Sequence, residues 1–210
     1  MDERYTDIGA TTEEAMEISR KSRGYISKIV GDSSLEDRIK QRCVIATGDL
    51  SVAEILRFRL DPVQAGLKAL ENESPIYVDI RMVEAGIVKK MHKNAIKTFL
   101  GSGDDLANTR GTTRTSAGVL ALQSELTGSI IVIGNAPSAL LTLCGLIESG
   151  KVMPELVIGV PVGFVNAAES KERLRNITVP SISTVGTRGG TPIAVAAMNE
   201  IINIYANMRS

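Results

Sequence analysis

The 210-residue chain has one histidine, His92, two cysteines, no tryptophan and 3% aromatic residues. A lone imidazole excludes a polyhistidine metal site. Cys43 and Cys144 are too few for a disulfide framework and lack metal-ligand neighbours, which points to a reducing compartment. So few aromatics remove a base-stacking platform or an aromatic carbohydrate cleft. Net charge is absent as well: 24 Lys+Arg balance 24 Asp+Glu, so broad attraction to nucleic acid or a membrane surface is not expected. No run reaches the ~18 apolar residues of a membrane span. The longest candidates, around Ser129–Ile133 and Pro137–Ile147, are broken by Gly134, Asn135 and hydroxyls. The opening segment MDERYTDIGA is polar, without the apolar core of a signal peptide. The cytoplasm is the expected location, with no nucleic-acid or membrane partner.

What is present is a good core. Apolar residues make up 43% of a length that suits one domain over residues 1–210, with no repeat or linker dividing it. The first third is predicted helical. Thr11 and Glu14 have capping-box spacing, and Ile18, Ile26 and Ile29 continue an apolar face. Ser34 caps a second helix carrying Leu35, Ile39, Cys43 and Val44, with Gly48 as its stop. Asp61-Pro62 starts a third. Beyond it, apolar β-branched runs at Pro75–Asp79, Ile96–Leu100, Ser129–Ile133, Glu155–Val160 and Ser181–Val185 alternate with helical patterns. Those helices are Asp61–Asn72, Ile80–Ala85, Thr113–Leu126, Ala136–Ser149, Ala167–Arg175 and Thr191–Ala206. Continuous apolar strands are buried on both faces, as parallel strands are. The expectation is a single-domain layered α/β fold, with a mainly parallel sheet and helices on both faces.

Ligands of such sheets bind beyond the carboxyl ends of the strands. The residues there are Asp79, Gly134–Pro137, Pro161–Val165 and Gly186–Gly190. Small residues let backbone amides approach an anionic group; the alternative is that these glycines only close tight turns. No G-x-x-x-x-G-K-[ST] loop, full dinucleotide fingerprint or G-x-S-x-G elbow is present, which argues against a nucleotide-binding or hydrolytic enzyme.

The strings DIRMVEAGI (79–87), TRTSAG (113–118), GNAPSAL (134–140), PVGFVNAAESK (161–171) and TRGGTPIAVAAMN (187–199) together resemble the precorrin-8X methylmutases of corrin biosynthesis. The likeness runs in order over nearly the whole chain. It implies an α/β homodimer that holds a tetrapyrrole at the carboxyl edge of its sheet. It implies an isomerase that moves a methyl group between adjacent ring carbons of precorrin-8X or cobalt-precorrin-8, giving hydrogenobyrinate or cobyrinate. Such an intramolecular rearrangement needs no redox cofactor, and no metal held by the protein is expected. By the same resemblance Ser22, Arg42 and Arg114 match substrate-contacting positions. Thr47, Asp79, Asn135, Ala136, Gly163, Glu169 and Ser170 are the further substrate-binding candidates. From the residues alone, Ser22 is equally a solvated helix serine, Arg42 a surface charge, and Arg114 a partner of Asp104 or Asp105. Asp79 and Glu169 could equally cap helices.

The family frame R-x-I-H-x-T-G-D supplies a histidine that protonates the ring. Here Arg42-Cys43-Val44-Ile45-Ala46-Thr47-Gly48-Asp49 fits the frame with Ile45 at the histidine position. An isoleucine transfers no proton. Either another group acts (Cys43, Asp49, the Thr47 hydroxyl or a bound water), or the protein binds a corrinoid without turnover, or the pocket serves another anion. His92, among Lys89, Lys90, Lys93 and Lys97, is expected to be a solvated surface residue, and both cysteines are expected in the core.

Overall fold

The structure, a computed structural model, describes residue 10 and residues 12–209. Helix α1 (Glu13–Val30) is capped by Thr12, whose hydroxyl accepts the Ala15 N–H at 3.2 Å. The cap expected at Thr11 lies outside the described residues. Helix α2 (Leu35–Thr47) begins at Ser34 in a complete capping box with Asp37 and stops at Gly48 in the left-handed conformation, as its sequence predicts. A short helix α3 (Val52–Ile55) leads into strand β1 (Leu56–Arg59). Helix α4 (Pro62–Glu71), strand β2 (Ile76–Val78), helix α5 (Arg81–Gly86) and strand β3 (Ile96–Thr98) follow. After helices α6 (Asp104–Arg110) and α7 (Arg114–Ala121) come strand β4 (Ile130–Ile133) and helix α8 (Pro137–Glu148). Strand β5 (Leu156–Gly159), helix α9 (Ala167–Arg175), strand β6 (Ser181–Thr184) and helix α10 (Thr191–Met208) complete the order.

The six strands form one sheet in the order β1-β6-β5-β4-β2-β3. Every pairing is parallel except that of β1 with β6. All residues of β2, β4, β5 and β6 are buried, so their side chains feed two separate cores. Ile130 and Val132 point to α2, α4 and α10, whereas Ile131 and Ile133 point to α7, α8 and α9. This strand periodicity of two puts helices on both faces, in agreement with the sequence.

Four details depart from expectation. The antiparallel β1 is absent from the sequence reading because LRFR is short and only half apolar, as an edge strand guarded by arginines is. Helix α6, with mostly polar residues, carries no apolar period to reveal it. The helix expected over Thr113–Leu126 ends at Ala121 and tightens into a 3₁₀ turn at Gln123–Glu125, beyond which Leu126 is fully buried. Finally, only Ile26 of the expected α1 face is buried; Ile18 and Ile29 are 58% and 50% exposed. Helix α1 is fastened beside Ile26, where Arg23 joins the buried carboxylate of Glu200 at 2.7 Å and Arg38 of α2 meets the same carboxylate at 3.1 Å.

Candidate active site

Parallel pairing gathers the loops after β2, β4, β5 and β6 at one rim. Their closeness needs small residues. A Cβ on Gly134 would stand 2.9 Å from that of Ala194, and one on Gly189 would run into the Val160 carbonyl. Gly190 N–H donates to Val160 O at 2.7 Å and Gly163 N–H to Thr187 O at 3.0 Å, so the loops after β5 and β6 are stitched together.

Two buried charges tie this rim from below. Asp79, at the end of β2, accepts the amides of Gly134, Asn135 and Ala136 at 3.3, 2.6 and 2.8 Å. Burial pushes its carboxyl above the usual carboxylate range, against the pull of those amides. Expected as a substrate contact, Asp79 instead spends its oxygens on the loop that starts α8. The second charge is Lys171 of α9, fully buried, whose Nζ donates to the Arg188 carbonyl at 2.6 Å and to Thr184 Oγ1 at 3.1 Å. Burial, with the charge of Arg175 adding to it, brings Lys171 down to about 8.

On one face of the sheet, α2 and α10 wall a groove of about 340 Å³ lined by Arg42, Ile45, Ala46, Pro192, Val195, Ala196 and Asn199. Arg42, Ile45 and Ala46 share one face of α2 because they are three and four residues apart. Asn199 is occupied: it donates to Gly86 O at 2.9 Å and accepts from Val88 N at 3.0 Å. In the turn after α2, Asp49 and Ser51 Oγ each accept from Arg188 of the loop before α10, both at 2.8 Å. Ser22 is half-buried on α1, beside the Arg23 that reaches Glu200.

The surrogate proton donors fare poorly here. Cys43 is fully buried, its thiol faces Ile193 O at 3.7 Å, and burial pushes its pKa far up. Hydrogen bonds from Ser51, with the charge of Arg188, hold Asp49 below the usual range and hence ionised. The Thr47 hydroxyl donates back to Cys43 O at 2.9 Å.

The other face of the rim carries different chemistry. Thr113, the cap of α7, meets Ser138 near the start of α8 at 2.8 Å and Ser116 at 2.9 Å. Arg114 forms a forked pair with Asp104 at 2.9 and 2.6 Å, as one of its two readings anticipates, and stays half-exposed. Asn135 is exposed beside them in the chain and Ala136 is buried. Glu169 is exposed in the first turn of α9, whereas Ser170 is buried with its hydroxyl on Ala167 O. Arg42 and Ile45 therefore sit on one face of the sheet and Arg114 on the other, joined only by the rim.

His92 and its lysines lie elsewhere. Lys89, Lys90 and Lys93 share its loop before β3, at the amino edge, and Lys97 lies in β3 itself with its Nζ on Glu125 at 2.8 Å, so the lysines do not line the rim. His92 is not a free surface residue either: Asn94 N–H donates to Nδ1 at 3.2 Å, leaving Nε2 to reach Val88 O at 2.7 Å. Sequence reasoning placed Arg188 at the carboxyl rim, within Gly186–Gly190, and missed Lys171 and Thr184. The only available sign was a lysine inside the apolar-flanked PVGFVNAAESK string, because a helical lysine ordinarily reads as solvated.

Comparison with known proteins falls on one family. The precorrin-8X methylmutase family pattern matches residues 17–204. The cobalt-precorrin-8 methylmutase of Methanocaldococcus jannaschii is 39% identical, over 97% of this chain and all of the relative. The precorrin-8X methylmutase of Pseudomonas aeruginosa is 37% identical, over 79% of this chain and 82% of that one. The crystal structure of the Thermus thermophilus precorrin-8X methylmutase superposes with a TM-score of 0.84 at 34% identity, covering 92% of this chain and 97% of that one.

Proposed function

The chain belongs to the precorrin-8X methylmutase family, and on that premise we propose that it is an isomerase of cobalamin biosynthesis, moving a methyl group between adjacent ring carbons of precorrin-8X or cobalt-precorrin-8. One C–CH₃ bond breaks, another forms on the neighbouring carbon, and the ring π electrons rearrange. Product and substrate have the same atoms, so the reaction consumes no oxidant or reductant. The observation that carries this reading is the α2–α10 groove, where the family frame Arg42–Asp49 stands at the carboxyl rim with Arg42 lining the wall.

The substrate is a polyanion, and the chain offers cations and hydroxyls around the rim to receive its carboxylate arms. Arg42 and Ser22 serve the α2–α10 side; Arg114, Thr113, Ser138 and Asn135 serve the α7–α8 side. Thr47 and the backbone of Ala136 and Gly163 border the same rim, and Glu169 flanks it; Asp79 and Ser170 act from beneath it as supports. With Ile45 in place of an imidazole and Cys43, Asp49 and Thr47 unsuited as acids, any proton comes from water. Catalysis then rests on placement and exclusion of solvent, at a cost of about 10²–10⁴-fold against a site with a positioned acid.

A groove of about 340 Å³ holds an edge of a macrocycle, not the whole of it. The expected homodimer supplies the remainder in this account. Its support is the apolar surface on the rim loops, where Phe164 is 95% exposed and Val162, Val165, Leu50 and Val185 are also exposed. Action in the cytoplasm belongs to the same proposal; no described helix is long and apolar enough to cross a membrane.

The test is incubation of the purified protein with precorrin-8X, followed by absorbance. Formation of hydrogenobyrinate above background supports the isomerase. Tight binding without product would replace it by a corrinoid-binding protein, and absence of binding would remove both.

A further inference from the structure

One buried charge at the rim contacts neither the groove nor solvent. Lys171 is fully buried on α9, and its Nζ, Thr184 Oγ1 and the Arg188 carbonyl form a closed triangle: 2.6 Å from Nζ to the carbonyl, 3.1 Å from Nζ to the hydroxyl, 2.7 Å from the hydroxyl to the carbonyl. The carbonyl thus receives two hydrogen bonds, one charge-assisted. The side chain of the same Arg188 turns the other way and grips Asp49 and Ser51, in the turn that follows α2. Two residues beyond Arg188, Gly190 is fixed to Val160 O, and α10 begins.

Arg188 therefore links the two elements that wall the groove. Its guanidinium holds the turn after α2, the helix that carries Arg42, Ile45 and Ala46; its backbone leads into α10, which carries Pro192, Val195 and Ala196. Arg38 on Glu200 and the Cys43 thiol on Ile193 O tie α2 to α10 along their length, and a site without a general acid depends on placement to within about an ångström. At the end of the pair where α2 stops and α10 starts, the Lys171 bond to the Arg188 carbonyl adds a constraint to those ties. Burying an ammonium is costly, and packing alone does not call for it: an apolar side chain of the same length would fill the volume.

We propose that Lys171 is a positioning residue for the methyl-transfer site, acting through Arg188 to fix the spacing between the α2 and α10 walls of the groove. This rests on the methylmutase reading for its kinetic consequence and on geometry alone for its structural one. Lys171→Met keeps the volume and removes the donors; Lys171→Gln restores one donor; Arg188→Ala cuts the link from the exposed side.

The experiment measures kcat and KM on precorrin-8X alongside amide hydrogen exchange. Lys171→Met is expected to lower kcat about 10- to 10²-fold and shift KM less than about threefold, the pattern of a lost transition-state placement. Exchange at Gly163 and Gly190, whose N–H groups bond Thr187 O and Val160 O across these loops, should quicken while the amides of β4 and β5 keep their protection. Lys171→Gln should recover part of the rate, and adding Arg188→Ala to Lys171→Met should cost little more than either alone. A Lys171→Met protein within twofold of wild-type kcat overturns the proposal, as does a uniform loss of protection across the sheet. Should Lys171→Met fail to fold, a fully active Arg188→Ala overturns it equally. If the wild-type protein shows no turnover, the methylmutase reading has failed separately, and unchanged exchange at Gly163 and Gly190 in Lys171→Met still overturns the positioning role.

Discussion

The sheet has a hollow at each end, and the larger is not the one the family frame occupies. At the amino ends of β4, β5 and β6, a depression of about 710 Å³ is lined by residues such as Thr127, Met153, Glu155, Thr178 and Pro180. At the carboxyl end, the α2–α10 groove is half that size, yet it holds Arg42 and the Ile45 position. The two ends differ in how they are held. The carboxyl rim stands on buried charges with multiple partners, Asp79 and Lys171. Near the amino hollow the charged pair is Arg173 with Glu148, at 2.5 Å and about 40% exposed on each side. Volume reflects how loops happen to leave a sheet; a costly buried charge is kept where geometry matters.

Substitutions can break or sharpen that contrast. The largest effect is expected from Asp79→Ala, which strands three loop amides beneath the rim and should cost about 3 kcal/mol in urea unfolding. Arg173→Ala at the opposite end should stay within about 1 kcal/mol, because its ion pair is solvent-screened. Equal losses would erase the distinction between the two ends.

Next comes Ile45→His. Returning an imidazole to the groove should raise kcat about 10- to 10²-fold, read from the rate of hydrogenobyrinate formation. A variant that binds substrate and gains nothing would show that the groove is not where the ring receives a proton. Arg114→Ala on the far face should raise KM about three- to tenfold with kcat little changed, since the loss is one carboxylate contact made equally before and during reaction. Unchanged KM would leave Arg114 as a partner of Asp104 only.

The smallest effect is in pH. Lys171 falls from the ordinary 10.5 to about 8 in the folded protein. The unfolded chain then binds more protons between those values, so this group makes folding more favourable as pH rises from about 8 towards 10.5 and withdraws that gain as pH falls back through 8. The urea midpoint of the wild type, minus that of Lys171→Met, should rise from pH 8 to pH 10. A flat difference would place the amine in contact with water.

Much of this was legible in residues. The parallel strands announced themselves as β-branched runs, and Ser34, Gly48 and Asp61-Pro62 marked helix ends where the structure has them. The carboxyl rim followed from topology. What pattern could not reach was the inside of the rim: Asp79 and Ser170 belong to the right loops, yet their side chains turn inward to backbone groups. Lys171 was invisible because its partners, Thr184 Oγ1 and the Arg188 carbonyl, are 13 and 17 residues further along the chain, and the Arg188 bond to Asp49 joins residues 139 apart. Periodicity reports which face is apolar; it carries no information on which polar group a buried charge will meet.

The macrocycle is expected to meet the protein at the carboxyl groove and not at the roomier amino end. Hydrogenobyrinate binding, followed by its absorbance, should weaken at least about tenfold in Ala46→Trp, whose indole fills the groove, a loss of about 1.4 kcal/mol. Met153→Trp, which fills the amino hollow, should bind as the wild type does. The reverse pattern, with Met153→Trp impaired and Ala46→Trp unaffected, would contradict the account.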